Sequence, residues 1–343
     1  RQLTHGCIHT GCNTYKEYQV YRNLPTMLRI GTDCSGIEAP IQALTNLGIK
    51  FSHEFSSDID NYCIQSIKAN YKPKVLFGDP DGPFPCGDIT KRDITDVPDI
   101  DLYVCGFPCQ PFSSAGPKNG FVHASGNVFW SCLEVIKTKK PSYFILENVK
   151  GLLSNDKGKT WKTIWGALDD LEGYTVDWRL LNTKDYGIPQ NRERLFIVGR
   201  RGDTAFSWPS PVPLVRKLSE YVDTENRERK QYSETREAYI KKYPSHVFLE
   251  LCWVTIDNRR DQYSRLGKDV MSCICATGHI ICLGKNMHRD ATCGELLQLQ
   301  GFPSSFKQVV SRTQMNKQTG NSMSVNVVER LIGSLLVLDT SEA

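Results

Sequence analysis

The stretch MLRIGTDCSGIEAPIQALTNLG (Met27–Gly48) passes from a short apolar strand through a glycine turn into a helix. MLRIGTD has the apolar character of a buried strand, and Gly36 supplies the turn. EAPIQALTNLG is typical of a helix, with Pro40 in its first turn and Gly48 at its end. A strand that leads directly into a helix in this way is the repeating unit of a doubly wound α/β sheet.

The same alternation of strands and helices continues downstream as far as Arg201. The predicted strands are FSHEFSSDID, VLFGD, IDLYVCGFP, SYFILENV, TVDWRLLNT and RERLFIVGRR, and the predicted helices are DNYCIQSIKANY, NVFWSCLEVIKTKKP and KTWKTIWGALDDLEG. Strands that alternate with helices pair in parallel through right-handed crossovers. Runs such as LYVCG and YFIL indicate burial on both faces of the sheet. We therefore predict a Rossmann-like, doubly wound, mostly parallel α/β sheet.

The alternation stops after Arg201, where a polar, basic segment that contains several tyrosines begins. Helix-like periodicity returns in ATCGELLQLQGFPSSF and NSMSVNVVERLIGSLLVL. The chain is therefore predicted to consist of four parts: an N-terminal extension (1–27), a main domain (28–201), a small inserted domain (202–288) and a C-terminal return to the main domain (289–343).

The composition is that of an ordinary globular protein, with 40% hydrophobic and 23% charged residues. No apolar run approaches the length of about 20 residues that crosses a bilayer, and RQLTHGCIHT lacks the apolar core of a signal peptide. Thirteen cysteines, an odd number without framework spacing, indicate reduced thiols and predict a cytoplasmic or nuclear location. The net charge of +4 permits a polyanionic partner without requiring one.

Two kinds of site are disfavoured by the motifs. Cys7, His9 and Cys12 could ligate zinc, but no second pair stands at zinc-finger spacing, so no metal is predicted. The sequence has no G-x-x-x-x-G-K-[ST], which argues against a phosphate cradle for ATP.

Three loops of the first half carry residues that can bind an adenosine. Gly36 lets the backbone approach a ligand closely. Asp58 follows the second strand, about 20 residues after the glycine turn, where an acidic residue can hold ribose hydroxyls. Asp88 in CGDIT can accept a hydrogen bond from the exocyclic amine of a purine. Each alone is equally well an ordinary loop residue, but together they predict an adenosine-containing ligand.

A second group of residues is suited to covalent chemistry. Cys109 lies in GFPCQPFSS, a stiff loop after a strand, where a thiol with a lowered pKa becomes a nucleophile. Glu147 in ILENV follows one crossover later, and an enclosed carboxyl has a raised pKa and can transfer a proton. Arg192 and Arg194 alternate along one predicted strand and so share a face, although structural ion pairs would explain them equally well. These groups fit methyl transfer to an electron-poor ring carbon.

Together these stretches resemble the cytosine-5 DNA methyltransferase family, in the family's motif order. The matching stretches are DCSGIEAP, SSDIDNYC, GDIT, GFPCQPFS, LENVKGLL, DYGIPQNRERLFIVG, GELLQLQGFP and TGNSMSVNVV. The resemblance implies a class I methyltransferase fold and S-adenosylmethionine as the cofactor. It also implies transfer of a methyl group to carbon 5 of a cytosine flipped out of double-stranded DNA. Residues 202–288 would then be the target-recognition domain, and we expect a monomer.

The resemblance also assigns roles to residues of the base pocket. Cys109 attacks carbon 6 of the cytosine, and Glu147 engages the ring nitrogen and the amino group. Arg194 binds the carbonyl oxygen of the base, and Arg192 braces the site.

A further set of residues is assigned to the cofactor: Cys34, Ser35, Gly36, Ile37, Asp58, Ile59, Asp88, Pro108 and Asn321. Asp58 is implied to hold the ribose, Asp88 the adenine amine, and Asn321 to close the pocket. Ile59 stands where the family commonly has a large aromatic residue, which predicts weaker stacking on adenine. The family usually has more glycine in the first turn, where this sequence has Glu38 and Ala39, which predicts a change in how the methionine end is held.

Two alternatives remain open at this point. A tRNA cytosine-5 methyltransferase would share the catalytic loop, but the Cys-Phe-Thr signature usual in that group is absent. A catalytically silent scaffold is disfavoured by the presence of Cys109, Glu147 and Arg194. The segment RKQYSETREAYIKKY mixes cations with tyrosines, which suits phosphate contacts and base stacking but equally suits a solvated helix.

Overall fold

The computed structural model describes residues 27–108, 128–223, 252–255, 265–276, 279–284 and 287–337. The strands of its first part are β1 (Leu28–Asp33), β2 (Phe51–Ser57), β3 (Val75–Phe77), β4 (Leu102–Cys105), β5 (Tyr143–Val149), β6 (Tyr174–Asn182), β7 (Gln190–Asn191) and β8 (Glu193–Arg201). The α-helices are α1 (Ala39–Leu47), α2 (Asn61–Asn70), α3 (Val128–Lys139), α4 (Lys159–Asp169), α5 (Cys293–Leu299), α6 (Arg312–Asn321) and α7 (Val325–Val337). Cys109 lies outside the described residues.

Seven strands form one sheet in the order β3-β2-β1-β4-β5-β8-β6. The pairs β1/β2, β1/β4, β2/β3 and β4/β5 are parallel, and β8 runs antiparallel to both of its neighbours. The predicted mostly parallel α/β sheet is therefore confirmed. The chain reverses its direction of strand addition between β1 and β4, and open α/β sheets bind ligands at the carboxyl ends next to such a point.

Helices cover both faces of this sheet. Leu102 and Val104 of β4 are buried in the core that also contains residues of α1 and α7. Tyr103 and Cys105, the alternate residues of the same strand, are buried in the core that contains residues of α3 and α4. Because successive side chains of a strand point to opposite faces, a strand covered on both sides is apolar throughout, which is why LYVCG was recognisable in the sequence.

The C-terminal residues complete the first of these cores. Leu331, Ile332 and Leu335 of α7 pack with Leu44 of α1. Helix α6 precedes α7 and was not predicted, because its sequence RTQMNKQTGN is polar and has almost no apolar periodicity.

A small set of strands lies in or beside the predicted insertion. β9 (Cys252–Thr255), β10 (Arg265–Lys268), β12 (His279–Gly284) and β13 (Met287–Asp290) form an antiparallel sheet in the order β10-β9-β12-β13. A two-residue strand, β11 (Met271–Ser272), pairs in parallel with β7. The sequence did not predict these short strands, and the predicted domain boundaries stay predictions. In the described part of the chain, no helix combines the length and the apolar character that spanning a bilayer requires.

A buried ion pair joins the loop after β3 to the end of β1. Arg92 Nη1 and Nη2 donate to the two carboxylate oxygens of Asp33 at 2.7 and 2.8 Å. The Tyr103 hydroxyl donates to Asp33 Oδ2 at 2.7 Å, and the guanidinium lies 4.6 Å from the ring centroid of Phe77. Because Asp33 directly precedes Cys34, this pair holds the first turn of the predicted site in place.

Arg92→Met is expected to lower the free energy of unfolding by about 3–5 kcal/mol, because it leaves the Asp33 carboxylate buried without its counter-ion. Arg29→Met is a matched control. Arg29 also pairs with an aspartate, Asp101, at 2.7 Å, but its side chain is 45% exposed, so we expect a loss of less than about 1 kcal/mol. Urea unfolding with linear extrapolation measures both changes. Equally small losses in the two variants would contradict this interpretation of the buried pair.

Candidate active site

The predicted site residues come together at one edge of the large sheet. Asp33 at the end of β1 is in register with Ser57 of β2 and with Cys105 of β4, so these parallel strands end level with one another. Because β8 is antiparallel, its first residues lie at the same edge, and Arg194 is paired with Val149 at the end of β5. The turns after β1, β2 and β4 therefore meet the end of β5 and the start of β8.

The turn after β1 has a strained backbone. Cys34 and Glu38 have φ values of 50° and 63°, in the left-handed region that disfavours residues with a side chain. The buried Glu38 carboxylate points inward, and its Oε1 accepts from Thr32 Oγ1 at 2.7 Å and from Ser56 Oγ at 2.6 Å. Burial raises the pKa of Glu38 to about 7. The Glu38 side chain therefore makes no capping hydrogen bond at the start of α1.

Asp58 connects the turn after β1 to the turn after β2. Its Oδ2 accepts from the Gly36 amide and its Oδ1 from the Asp60 amide, both at 2.8 Å. Burial raises the pKa of Asp58, and these two backbone hydrogen bonds oppose that increase. Because each carboxylate oxygen can accept more than one hydrogen bond, Asp58 is still able to accept from ligand hydroxyls.

Asp88 lies in a tight turn next to Asp58. Asp88 Oδ1 accepts from Thr90 Oγ1 at 2.7 Å, and Oδ2 lies 3.1 Å from Lys91 Nζ. Gly87 brings this turn close, since a Cβ at that position would lie only 2.0 Å from the Asp58 carbonyl oxygen. A residue with a side chain would therefore push the Asp88 turn away from the Asp58 turn.

Glu147 is a buried carboxyl with one oxygen that has no hydrogen-bond partner in the described parts of the chain. It is 7% exposed, and its Oε1 lies 3.2 Å from Arg194 Nε. That approach is not aligned for a hydrogen bond, so within the described parts of the chain Glu147 Oε1 has no hydrogen-bond partner. Burial raises the pKa of Glu147, and the positive charges of Arg194 and Arg192 oppose that increase. Such an oxygen is suited to bind a polar atom of a ligand.

Asn148 fixes the start of the segment that contains the predicted nucleophile. Its Nδ2 donates to the Phe107 carbonyl at 2.8 Å. Pro108, the last described residue of this segment, lines the same cavity as Glu147.

Arg192 joins three segments around the site. It stands between β7 and β8 and is only 1% exposed. Its Nη1 donates to the Ile274 carbonyl at 2.8 Å, and its Nη2 donates to the carbonyls of Gly320 and Ser322 at 3.1 and 2.6 Å. The arrangement is suited to the bracing role that the sequence predicts for Arg192.

A cavity of about 760 Å³ opens between these groups, which is in the size range of small-molecule sites. The predicted residues that line it are Cys34, Gly36, Asp58, Ile59, Asp88, Pro108, Glu147, Arg192, Arg194 and Asn321. Ser35 lines a small neighbouring cavity. Ile37 lines neither of them and is buried in the hydrophobic core.

Some residues of the cavity wall were not predicted. Lys317 of α6 lines the cavity, and its Nζ bonds to Asp60 Oδ2 at 2.8 Å. Asp60 had a local signal, since it is the N-cap of α2, but no sequence pattern connects it to a lysine 257 positions away. The described residues contain no group of three His, Cys, Asp or Glu that could hold a metal ion, and Cys7, His9 and Cys12 lie outside them.

Comparison with known proteins gives a consistent family match. The profile of the family described as C-5 cytosine-specific DNA methylase matches residues 33–336. Type II methyltransferase M.NgoBI of Neisseria gonorrhoeae is 38% identical over 295 residues, which cover 82% of this chain and 86% of that protein. Type II methyltransferase M.HaeII of Haemophilus aegyptius is 34% identical over 282 residues, which cover 82% and 85%.

Solved structures share the fold at lower sequence identity. The crystal structure of S. pombe Dnmt2 methyltransferase has a TM-score of 0.64 at 21% identity and covers 90% of this chain and 98% of its own. The methyltransferase EhMeth of Entamoeba histolytica has a TM-score of 0.62 at 19% identity and covers 91% and 98%. The architecture of the large sheet is therefore that of the class I methyltransferases.

Proposed function

Since this chain belongs to the C-5 cytosine-specific DNA methylase family and is a DNA cytosine-5 methyltransferase, we propose that it acts through a covalent adduct between Cys109 and a flipped cytosine. The family and the fold are those of S-adenosylmethionine-dependent methyltransferases. The residues that act on the base and those that bind the cofactor are part of the proposal.

One observation carries it. Glu147, whose buried Oε1 has no hydrogen-bond partner among the described residues, and Arg194 line the same cavity as Asp58, Asp88 and Asn321. A base and an adenosine can therefore lie in one cavity, with Pro108 on its wall and Cys109 next along the chain.

On the base side, the Cys109 thiolate adds to carbon 6, and a carbon–sulfur bond forms. Electron density from the carbon 5–carbon 6 double bond moves toward the ring nitrogen and the carbonyl oxygen. Glu147 stabilises that density by donating a proton toward the ring nitrogen, for which its raised pKa suits it. Arg194 stabilises the carbonyl oxygen. As carbon 5 is methylated, Glu147 takes back its proton from the ring nitrogen. A solvent base then removes the carbon 5 proton, the electron pair of that bond re-forms the carbon 5–carbon 6 double bond, and the carbon–sulfur bond breaks to return the thiolate.

The cofactor side accommodates an adenosine-containing molecule. S-adenosylmethionine supplies the methyl group when it is bound. Asp58 would accept hydrogen bonds from the ribose hydroxyls, and Asp88 would accept one from the adenine amine. The exposed side chain of Ile59 lines the cavity beside Asp58 and offers an apolar surface without the area of an aromatic ring.

Target access requires the cytosine to leave the helix, because the ring face cannot be reached in a stacked duplex. We propose that Glu147 and Arg194 hold the flipped base by its polar edge. Phosphate contacts would provide most of the affinity for DNA without adding sequence preference.

Asp58→Ala is expected to weaken S-adenosylmethionine binding by about 1.5–3 kcal/mol, the scale of hydrogen bonds to a charged group. Titration calorimetry without DNA measures the change. Asp81→Ala is the matched control, because Asp81 is an exposed acid that pairs with Lys68 and does not line the cavity. Unchanged cofactor affinity in Asp58→Ala would place the ribose ligand elsewhere.

The proposed function is tested with labelled S-adenosylmethionine and two acceptors, unmethylated plasmid DNA and unmodified tRNA. We expect label in the DNA, as 5-methylcytosine at positions that resist bisulfite deamination. Label in the tRNA with none in the DNA would contradict it.

A further inference from the structure

Cys273 lies directly beside the two arginines of the base pocket. It follows β11, whose pairing with β7 places it next to Arg192. Its Sγ accepts from Arg192 Nη1 at 3.5 Å and from Arg194 Nη2 at 3.7 Å. One sulfur is therefore shared by two guanidinium groups that line the cavity.

Two acidic groups among the described residues balance the charge of these arginines. Arg192 gives its other hydrogen bonds to backbone carbonyls, which carry no formal charge. Arg194 Nη1 donates to the Glu193 carbonyl at 2.8 Å, and Arg194 Nε lies 3.2 Å from Glu147 Oε1. Among the described residues, Glu147 and Cys273 are thus the acidic groups in contact with this pair of cations. The guanidinium of Arg194 contacts both.

The surroundings favour the charged form of the sulfur. A hydrogen bond from the Cys275 thiol, together with the charges of Arg192 and Arg194, lowers the pKa of Cys273 to about 4, although desolvation opposes this. In the described part of the chain, the titratable and charged groups that face Cys273 are Cys275, Arg192, Arg194 and Glu147. The two guanidinium groups therefore favour the thiolate of Cys273 over its thiol.

We propose that Cys273 is a positioning residue of the base pocket. Its anionic sulfur shares the Arg194 guanidinium with Glu147 and so weakens the stabilisation that this cation gives to the Glu147 carboxylate. The Glu147 carboxyl therefore stays available for protonation. The inference rests on the proposed function of Glu147 and Arg194. Without the sulfur anion, Glu147 is the one acidic group among the described residues that contacts Arg194. This stabilises the carboxylate, lowers the pKa of Glu147 and reduces the protonated fraction that can engage the ring nitrogen.

The first experiment compares Cys273→Ser, which removes the charge, with Cys273→Asp, which restores a permanent one. Cys293→Ser is the matched control, since Cys293 is a partly exposed thiol at the start of α5. Single-turnover methylation of plasmid DNA is followed between about pH 6 and 9. In Cys273→Ser, the pH above which the rate declines should fall by about one unit, and the rate above it should drop about tenfold. Cys273→Asp and Cys293→Ser should keep the wild-type profile.

A purely structural role for Cys273 would give a different result. Loss of activity with an unchanged pH profile, or equal loss in Cys273→Ser and Cys273→Asp, would overturn the proposal.

The second experiment needs no DNA, no turnover and no change at Cys273. Iodoacetamide alkylation is measured by peptide mass mapping in the Cys109→Ser background from about pH 5 to 8. Cys273 should react at a rate that is nearly independent of pH, whereas Cys293 should react faster as the pH rises. Arg194→Ala should move the Cys273 profile to higher pH. An ordinary thiol profile for Cys273 in the Cys109→Ser background, together with wild-type protein that methylates DNA, overturns this inference alone. Wild-type protein that does not methylate DNA overturns the proposed function.

Discussion

Cys109→Ser is expected to abolish methyl transfer, with a single-turnover rate at least about a thousandfold below that of the wild type. A serine hydroxyl without an adjacent base is a poor nucleophile, and Cys109 is the proposed attacking group on carbon 6. The rate is measured with saturating cofactor on unmethylated plasmid DNA. Titration calorimetry should show S-adenosylmethionine bound as tightly as before, because the residues placed around the ribose and adenine do not include Cys109.

Cys86→Ser is the control for the loss of a thiol, since Cys86 is an exposed free cysteine. It should methylate at the wild-type rate. A near-native rate in Cys109→Ser would remove the nucleophile from this account, and loss of cofactor binding would show a folding defect in place of a chemical one.

The second large effect is expected from Arg194→Ala. The guanidinium stabilises charge that develops on the carbonyl oxygen after the thiolate adds, and loss of one such donor costs about 10²–10³-fold in rate. DNA affinity should change little, because most of it comes from phosphate contacts. Binding by fluorescence anisotropy and single-turnover rates separate the two effects.

Glu193→Ala is the neighbouring control. Glu193 is partly exposed and pairs with Lys150 at 3.0 Å, away from the base pocket, so its loss should leave the bound-state rate unchanged. If Arg194→Ala lost DNA binding while the rate of the bound complex stayed the same, the role given to Arg194 would be wrong.

The large sheet was predictable because its strands are buried on both faces. LYVC in β4 and YFIL in β5 are apolar without interruption, and a core that covers both sides produces that pattern. The strand boundaries were less accessible. The sequence suggested one strand that contains both Arg192 and Arg194. In the structure Arg192 lies between β7 and β8, where its guanidinium donates to three backbone carbonyls.

The sequence could predict which site residues come together where the order and direction of the strands bring them together. Residues at the carboxyl edge of the parallel strands, such as Asp58 and Glu147, come together because β1, β2 and β4 end level and β5 continues just past the end of β4. Contacts that depend on the fold of distant segments had no local signal. Cys273 reaches Arg194 across 79 positions and Lys317 reaches Asp60 across 257, and no periodicity or motif records such contacts.

Trapping of the covalent adduct tests the central claim most directly. DNA in which cytosine is replaced by 5-fluorocytosine presents the target whatever its flanking sequence, and after methylation carbon 5 has no proton to lose. Incubation with S-adenosylmethionine followed by peptide mass mapping should find the modified base attached to Cys109, and no adduct should form with Cys109→Ser. Methylation of ordinary DNA by the same preparation without any adduct at Cys109 would contradict the account.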